Sequence, residues 1–390
     1  MSQIKNIVII GGGFAGVRVA RGLEKELADA RDAQYRIILV EKQKKNHFYH
    51  SIGGLRAAVI DWSDRVMIPY TNLFKDNKHR VIQASAEKLE RGHVILDREV
   101  DTFGSSVPFA YLVIATGTAY HAPAKSYTDD MEGTRDGLAQ LRQQVKSAKS
   151  ILIAGGGPVG IEFAGEVRDV YKDKKIILLH PQDRLLSGSI SNLKLSQKAH
   201  DLLLKNNVQV VLNDRIITES NSPVYKPENG VVETKLGQRF TGIDMVFLAF
   251  GNRPNTYWLK NSDLGASIVS DTGYVKVKPT YQVDHPDLKH VFVLGDAADF
   301  DESKHAYRTK NQSVAVIKNV VQMAIHNASP DVEHKKDFDT MFVTFGKKQG
   351  VGLLPFFGGW VVGSFIVGML KSSSLFIEKS WESLNLAPPN

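Results

Sequence analysis

Cysteine is absent from all 390 residues. Disulfides, thiolate metal sites and every redox mechanism that needs a cysteine pair or a cysteine nucleophile are thereby excluded. Long apolar runs are nearly absent too. One stretch, "GVGLLPFFGGWVVGSFIVGML", carries no charge from Gly350 to Leu370. A helix of that length, at roughly 1.5 Å per residue, would reach across a bilayer. Low-complexity tracts and blocks of like charge are missing, so no disordered tail is expected. The stretch before the first apolar run, "MSQIKN", is too short for an expected signal segment. Ser2 stands where N-myristoylation requires glycine, so no lipid is expected there.

The composition that remains, 43% hydrophobic and 23% charged, is that of a globular protein, and the length suggests two or three domains. The net charge is +7, with basic residues interleaved among Asp and Glu. A solvated basic surface accounts for this; attraction to anionic lipid or nucleic acid is the alternative.

One local design occurs twice. Ile7 to Ile10 run into "GGGFAG", and Ile151 to Ala154 run into "GGGPVG"; an amphipathic, helix-like segment follows each. Strand, Gly-x-Gly-x-x-Gly turn and helix together make a dinucleotide-binding unit. Gly11 and Gly155 permit the tight turn, while Gly13 and Gly157 let backbone amides approach a pyrophosphate. Gly16 and Gly160 let the helix pack closely, its positive end toward the phosphates. Phe14, Ala15, Pro158 and Val159 complete the two turns as expected cofactor contacts. A second strand, "YRIILVE", ends at Glu41, whose carboxylate can accept both hydroxyls of an adenosine ribose. The second copy departs here, for "KKIILLH" ends in His180. Without an acid the 2′-phosphate of NADPH is not repelled, and Arg184 stands close enough in sequence to approach it; an inert strand cap is the other reading of His180. Both NADH and NADPH therefore stay open.

Two further segments assign the turns. "YLVIATG" is a buried-type strand ending in a turn at Ala115, Thr116 and Gly117, and "HVFVLGDAADF" is another, entering Gly295, Asp296 and Ala297. Fingerprint, Glu41, ATG, second fingerprint and late Gly-Asp, in that order, resemble the flavoproteins with two dinucleotide-binding domains over nearly the whole chain. The resemblance implies an α/β fold: two Rossmann-like domains, for FAD and NAD(P)H, plus a small C-terminal α+β domain. It places the discontinuous FAD domain at 1–119 and 250–330 and the inserted NAD(P)H domain at 120–249. Residues 331–390 form the C-terminal domain. "LAFGNRPNT", with Gly251, resembles the return crossing between domains. In similar reductases the glutamate matching Glu162 lies at the nicotinamide–flavin contact, which makes Glu162 the first candidate for a functional side chain; favourable charge at a helix start is its plainer role. "KNHFYHSIGGLRA" is expected near the flavin, with His50 and Arg56 as candidates for tuning flavin or acceptor charge.

The missing cysteines then prune the electron acceptors. Disulfide reductases, peroxide-reducing oxidases and sulfide–quinone reductases of this superfamily use active-site cysteines. What remains is a quinone, dioxygen or a soluble redox protein. The apolar stretch reads best as two β segments turning at Gly358–Gly359, then a short helix with Ser364 as a possible N-cap. Such an element suits contact with a membrane surface better than a span. The tail "KSSSLFIEKSW", with "FYHSIGGLRA" and "GGGPVGIEFAGE", resembles the ferroptosis suppressor and AIF-like mitochondrion-associated group. That group reduces ubiquinone and related lipid quinones with NAD(P)H at membrane surfaces. The resemblance implies an NAD(P)H:quinone oxidoreductase, cytoplasmic with membrane or mitochondrial association, as monomer or homodimer. Ser2 departs from the myristoylated animal members. The competing expectations are a reductase of a soluble electron-transfer protein and an AIF-like signalling protein that binds nucleic acid; no nucleic-acid module favours the latter.

Overall fold

A computed structural model describes residues 4–28, 34–43, 47–100, 102–188, 190–220, 222–336, 338–356 and 359–389. Two parallel sheets organise it. The first has the order 291–293, 111–114, 5–10, 35–41 and 80–83, every neighbouring pair parallel. The second runs 208–211, 175–179, 150–154 and 245–248 in parallel, with 224–225 as an antiparallel edge. Unbroken apolar runs such as Ile7–Ile10 and Ile151–Ala154 make these strands because both faces of each sheet are covered and no polar alternation is needed. The first sheet thus draws strands from both sides of the segment that builds the second. The chain crosses between them twice, and the crossings pair antiparallel, Thr118 with Pro254 and Ala119 with Arg253.

Helix Phe14–Ala28 follows the first glycine turn and helix Pro158–Val170 the second. The close approach is literal: a Cβ on Gly16 would stand 1.8 Å from the Gly11 carbonyl oxygen, and one on Gly160 1.9 Å from that of Gly155. Both Gly11 (φ +99°) and Gly155 (φ +130°) adopt a backbone that L side chains rarely reach.

A third sheet, of antiparallel strands Met341–Phe345, Gln349–Leu354 and Trp360–Val362, forms the C-terminal domain. It packs on helix Pro158–Val170. The expected hairpin is present but its connection is longer than a dipeptide: Leu354 pairs with Trp360. Pro355 has no N–H to extend the ladder, which accounts for the early strand end. Gly359 has φ +109°, while Gly358 lies outside the described residues. Helix Ser364–Val367 follows and widens into a turn of π-helix, Gly368–Ser372. Ser364 is not its N-cap. Gly363 takes that place, and the Ser364 hydroxyl instead meets the backbone of Gly350 at 3.3–3.4 Å. Among the described residues no helix is long and apolar enough to cross a membrane.

Candidate active site

The two glycine turns and the C-terminal domain enclose one continuous cavity of about 1820 Å³. A single small-molecule site takes roughly 300–1,000 Å³, so this space suits two dinucleotides. Gly11, Gly13, Phe14 and Ala15 line it from the first turn, and Gly155, Gly157, Pro158 and Val159 from the second. Gly13 and Gly157 have open space where a Cβ would be. Each presents bare backbone to the cavity, as a pyrophosphate cradle requires.

In the first half Glu41 reaches back to the turn. Its Oε2 accepts from the Gly12 amide at 2.6 Å and its Oε1 from the Gln43 amide at 3.1 Å. Burial pushes the Glu41 carboxyl up, and the Gly12 and Gln43 hydrogen bonds oppose that rise. Tyr70 closes the turn from behind by donating to the Gly12 carbonyl at 2.5 Å. Ala115, Thr116 and Gly117 line the cavity beside it. So does Asp296, whose Oδ2 accepts from the Thr118 hydroxyl at 3.2 Å.

Two lining groups here carry no motif: Lys125, whose ammonium burial pushes down against the pull of Asp296 and Glu41, and His305. The buried Thr116 Oγ1, Thr340 Oγ1 and His305 Nε2 have no hydrogen-bond partner among the described residues. A cradle of bare amides, a ribose-seeking carboxylate, a buried lysine and orphaned polar atoms on one wall fit FAD.

In the second half the geometry repeats with different chemistry. The Gly156 amide donates to Nδ1 of His180 at 3.0 Å, where Gly12 donates to Glu41. Gly251 (φ +97°) lines the same region. Arg184 does not line the cavity: it leans on Asp183 at 3.3 Å, and Arg215, from the neighbouring strand end, lines the wall instead.

Where the halves meet, Glu162 sits just past the first turn of helix Pro158–Val170, buried and at the cavity wall. Its Oε1 accepts from Lys371 Nζ at 2.9 Å, the Thr344 amide at 3.1 Å and the Thr344 hydroxyl at 3.2 Å. Lys371 also donates to the Phe342 carbonyl at 2.6 Å and lines the cavity. It is the first charge after the apolar stretch, a signal that was present in the sequence. Leu375 and Phe376, both with positive φ (54° and 59°), line the cavity just beyond it. Such backbone is costly for bulky residues and tends to persist at functional sites.

His50 lines the cavity near this junction, its ring edge-on to Phe14 at 5.6 Å. Its Nδ1 accepts from the Gly53 amide at 3.0 Å, capping helix Ser51–Ala57. Burial holds its pKa at about 4, helped by the nearby Lys371, so it is neutral at pH 7 and brings no charge to a flavin.

Arg56 is not a cofactor contact. It is 0% exposed and absent from the cavity wall. Its guanidinium forks onto Glu166 through two bonds of 2.9 Å and donates to the carbonyls of Ser372 (2.7 Å) and Ser373 (2.9 Å). A buried guanidinium takes whatever satisfies all its donors, and the facing domains supply that set. Gly16, Gly160 and Ala297 are likewise off the wall; Ala297 is buried in the core beneath it.

The family model for pyridine nucleotide-disulphide oxidoreductases matches residues 5–328. The chain is 31% identical to the FAD-dependent oxidoreductase FVFD30 of Flammulina velutipes, over 80% of this chain and 93% of that one. It is 30% identical to apoptosis-inducing factor homolog A of Dictyostelium discoideum, over 99% and 93%. Identity to human ferroptosis suppressor protein 1 is 26%, over 98% and 97%. Among solved structures, the sulfide:quinone oxidoreductase of Aquifex aeolicus superposes with a TM-score of 0.73 at 16% identity, over 98% of this chain and 92% of that one; this is a likeness of fold.

Proposed function

The chain belongs to the pyridine nucleotide-disulphide oxidoreductase family and uses FAD and NAD(P)H, and we propose that it passes their electrons to a lipophilic quinone at a membrane surface. The observation that carries this reading is the double face of the C-terminal domain. Leu375 and Phe376 line the cavity, while Phe365 (84% exposed), Met369 (67%) and Trp360 (51%) face solvent nearby in the same small domain. An apolar acceptor suits that arrangement better than a water-soluble protein. The disulfide chemistry in the family's name is closed to a chain without cysteine.

FAD, when bound, supplies the hydride acceptor and relays its two electrons. Residues at the first turn, with Glu41, Lys125 and Asp296, would hold it. The exchange is NAD(P)H, quinone and one proton giving NAD(P)⁺ and quinol. The protein's part is to orient the two rings, exclude water and deliver the proton. Lys371 Nζ has three N–H groups and two are engaged, by Glu162 and Phe342. Lys371 lines the cavity, so in this reading the remaining N–H serves as the proton donor and Glu162 keeps the ammonium in place.

Stopped-flow mixing with NADH and NADPH, followed by a short-chain ubiquinone, tests this. The expected result is rapid flavin bleaching, then reoxidation far faster with quinone than with air. Reoxidation no faster with quinone than with air would overturn the quinone reading and favour a protein acceptor.

A further inference from the structure

Glu162 and Glu166 stand one turn apart on helix Pro158–Val170, and each carries a cation. Lys371 meets Glu162 at 2.9 Å, and Arg56 meets Glu166 through two bonds of 2.9 Å. Glu162 and Lys371 line the cavity; Glu166 and Arg56 are buried away from its wall.

The second pair nonetheless reaches the first through the backbone. Lys371 lies in the π turn Gly368–Ser372, and a helical segment ends with carbonyls that have no partner of their own. Arg56 supplies the donors. Its Nη2 donates to the Ser372 carbonyl at 2.7 Å and its Nη1 to that of Ser373 at 2.9 Å, the two residues directly after Lys371. Nη2 also donates to the Gly346 carbonyl at 3.3 Å, between strands Met341–Phe345 and Gln349–Leu354. Phe342 of the first of those strands accepts from Lys371 itself at 2.6 Å. Gly165, between the two glutamates, lets that strand end rest on the helix, since a Cβ there would stand 2.4 Å from the Phe345 Cα. Helix Ser51–Ala57, helix Pro158–Val170 and the C-terminal domain thus converge on three consecutive residues. Lys371 is pinned through its side chain by Glu162, and the carbonyls that follow it are pinned by Arg56. A π turn is a rare geometry that competes with the α-helix. Rewinding to α would carry the Lys371 side chain round the helix axis, away from Glu162.

We propose that Arg56 is a positioning residue for the acceptor step: by capping the π turn it holds the Lys371 ammonium on Glu162 at the cavity wall. That role rests on Lys371 being the proton donor. A lysine in place of Arg56 keeps the charge but cannot fork onto a carboxylate and cap two carbonyls at once.

A double-mutant cycle on the stopped-flow quinone step tests this. Arg56→Lys should slow quinone-dependent reoxidation about tenfold, with NADPH-driven bleaching the less affected step. In a Lys371→Met background the same change should alter reoxidation by less than about twofold, because the group it positions is gone. Should Arg56→Lys fail to load FAD, Glu166→Gln, of nearly the same shape, takes its place, with about threefold slowing expected and the same dependence on Lys371. Acetic anhydride footprinting read by mass spectrometry adds a measure free of catalysis: Lys371 should be acetylated faster in Arg56→Lys, or in Glu166→Gln, than in the unaltered protein. Equal slowing with and without Lys371, no slowing, or unchanged acetylation would overturn the positioning role and leave Arg56 a structural tie. Lys371→Met without effect on reoxidation would remove the donor reading itself, and the positioning role with it.

Discussion

The first and second glycine turns are two solutions of one backbone problem. In both, the middle glycine's amide is caught by the side chain at the end of the next strand, at 2.6 Å by Glu41 and at 3.0 Å by His180. Either residue satisfies the amide, so the backbone does not distinguish them. The ligand does: a carboxylate accepts from ribose hydroxyls and repels phosphate, whereas a neutral imidazole does neither. Local geometry and ligand choice are therefore separable here, and each can be disturbed without the other.

The largest effect is expected where both halves are disturbed together. Arg56→Ala leaves Glu166 buried without its partner and should cost about 3–5 kcal/mol in unfolding free energy. Denaturant unfolding monitored by flavin and tryptophan fluorescence should show both halves failing in one weakened transition; a loss below about 1 kcal/mol would mean the fork is incidental. Next comes the first turn alone. Glu41→Ala removes a charged acceptor from two amides and from the ribose, and FAD affinity should fall on the order of 30-fold or more, read as flavin content after dialysis. His180→Ala removes only a neutral acceptor, so nucleotide affinity should fall about fivefold. If the two changes cost the same, the contrast between the turns is wrong.

The junction between the halves gives a third contrast. Lys371→Met should slow quinone-dependent reoxidation by roughly 100-fold while leaving NADPH-driven bleaching the less affected step. Equal slowing of both steps would assign Lys371 to nucleotide binding instead.

Acidification should weaken the protein through the buried histidines. His50 and His305, both held at about 4 by burial, stay neutral in the fold while the unfolded chain takes up protons near 6.5. Between those values the unfolded state binds more protons, so stability is full above about pH 6.5 and falls as pH drops toward 4. A melting temperature constant from pH 7 to pH 4.5 would contradict this.

The smallest effect concerns the outer face. Replacing Trp360 and Phe365 by Ser should lower co-sedimentation with phosphatidylcholine–phosphatidylserine vesicles severalfold and leave the melting temperature within about 2 °C. Unchanged co-sedimentation would remove the apolar face from membrane contact.

Much of this protein is legible in its chain alone. Continuous apolar runs followed by glycine turns allow only buried parallel strands entering helices, so the two α/β units and their dinucleotides follow from local chemistry. Glu41 and Asp296 are findable because the end of a parallel strand faces a ligand crevice whatever surrounds it. The roles of Arg56, Lys125, Lys371 and Arg215 are not, because they depend on what lies opposite. Nothing within "SIGGLRA" says that Glu166 and the carbonyls of Ser372 and Ser373 will close around one guanidinium. Nor does "VLNDRII" reveal that pairing of strands 208–211 and 175–179 sets an arginine at the cavity wall. Periodicity and turn chemistry act over a few residues and are written in the chain. Partnerships between charges hundreds of residues apart arise only when packing brings them together and burial makes each demand the other.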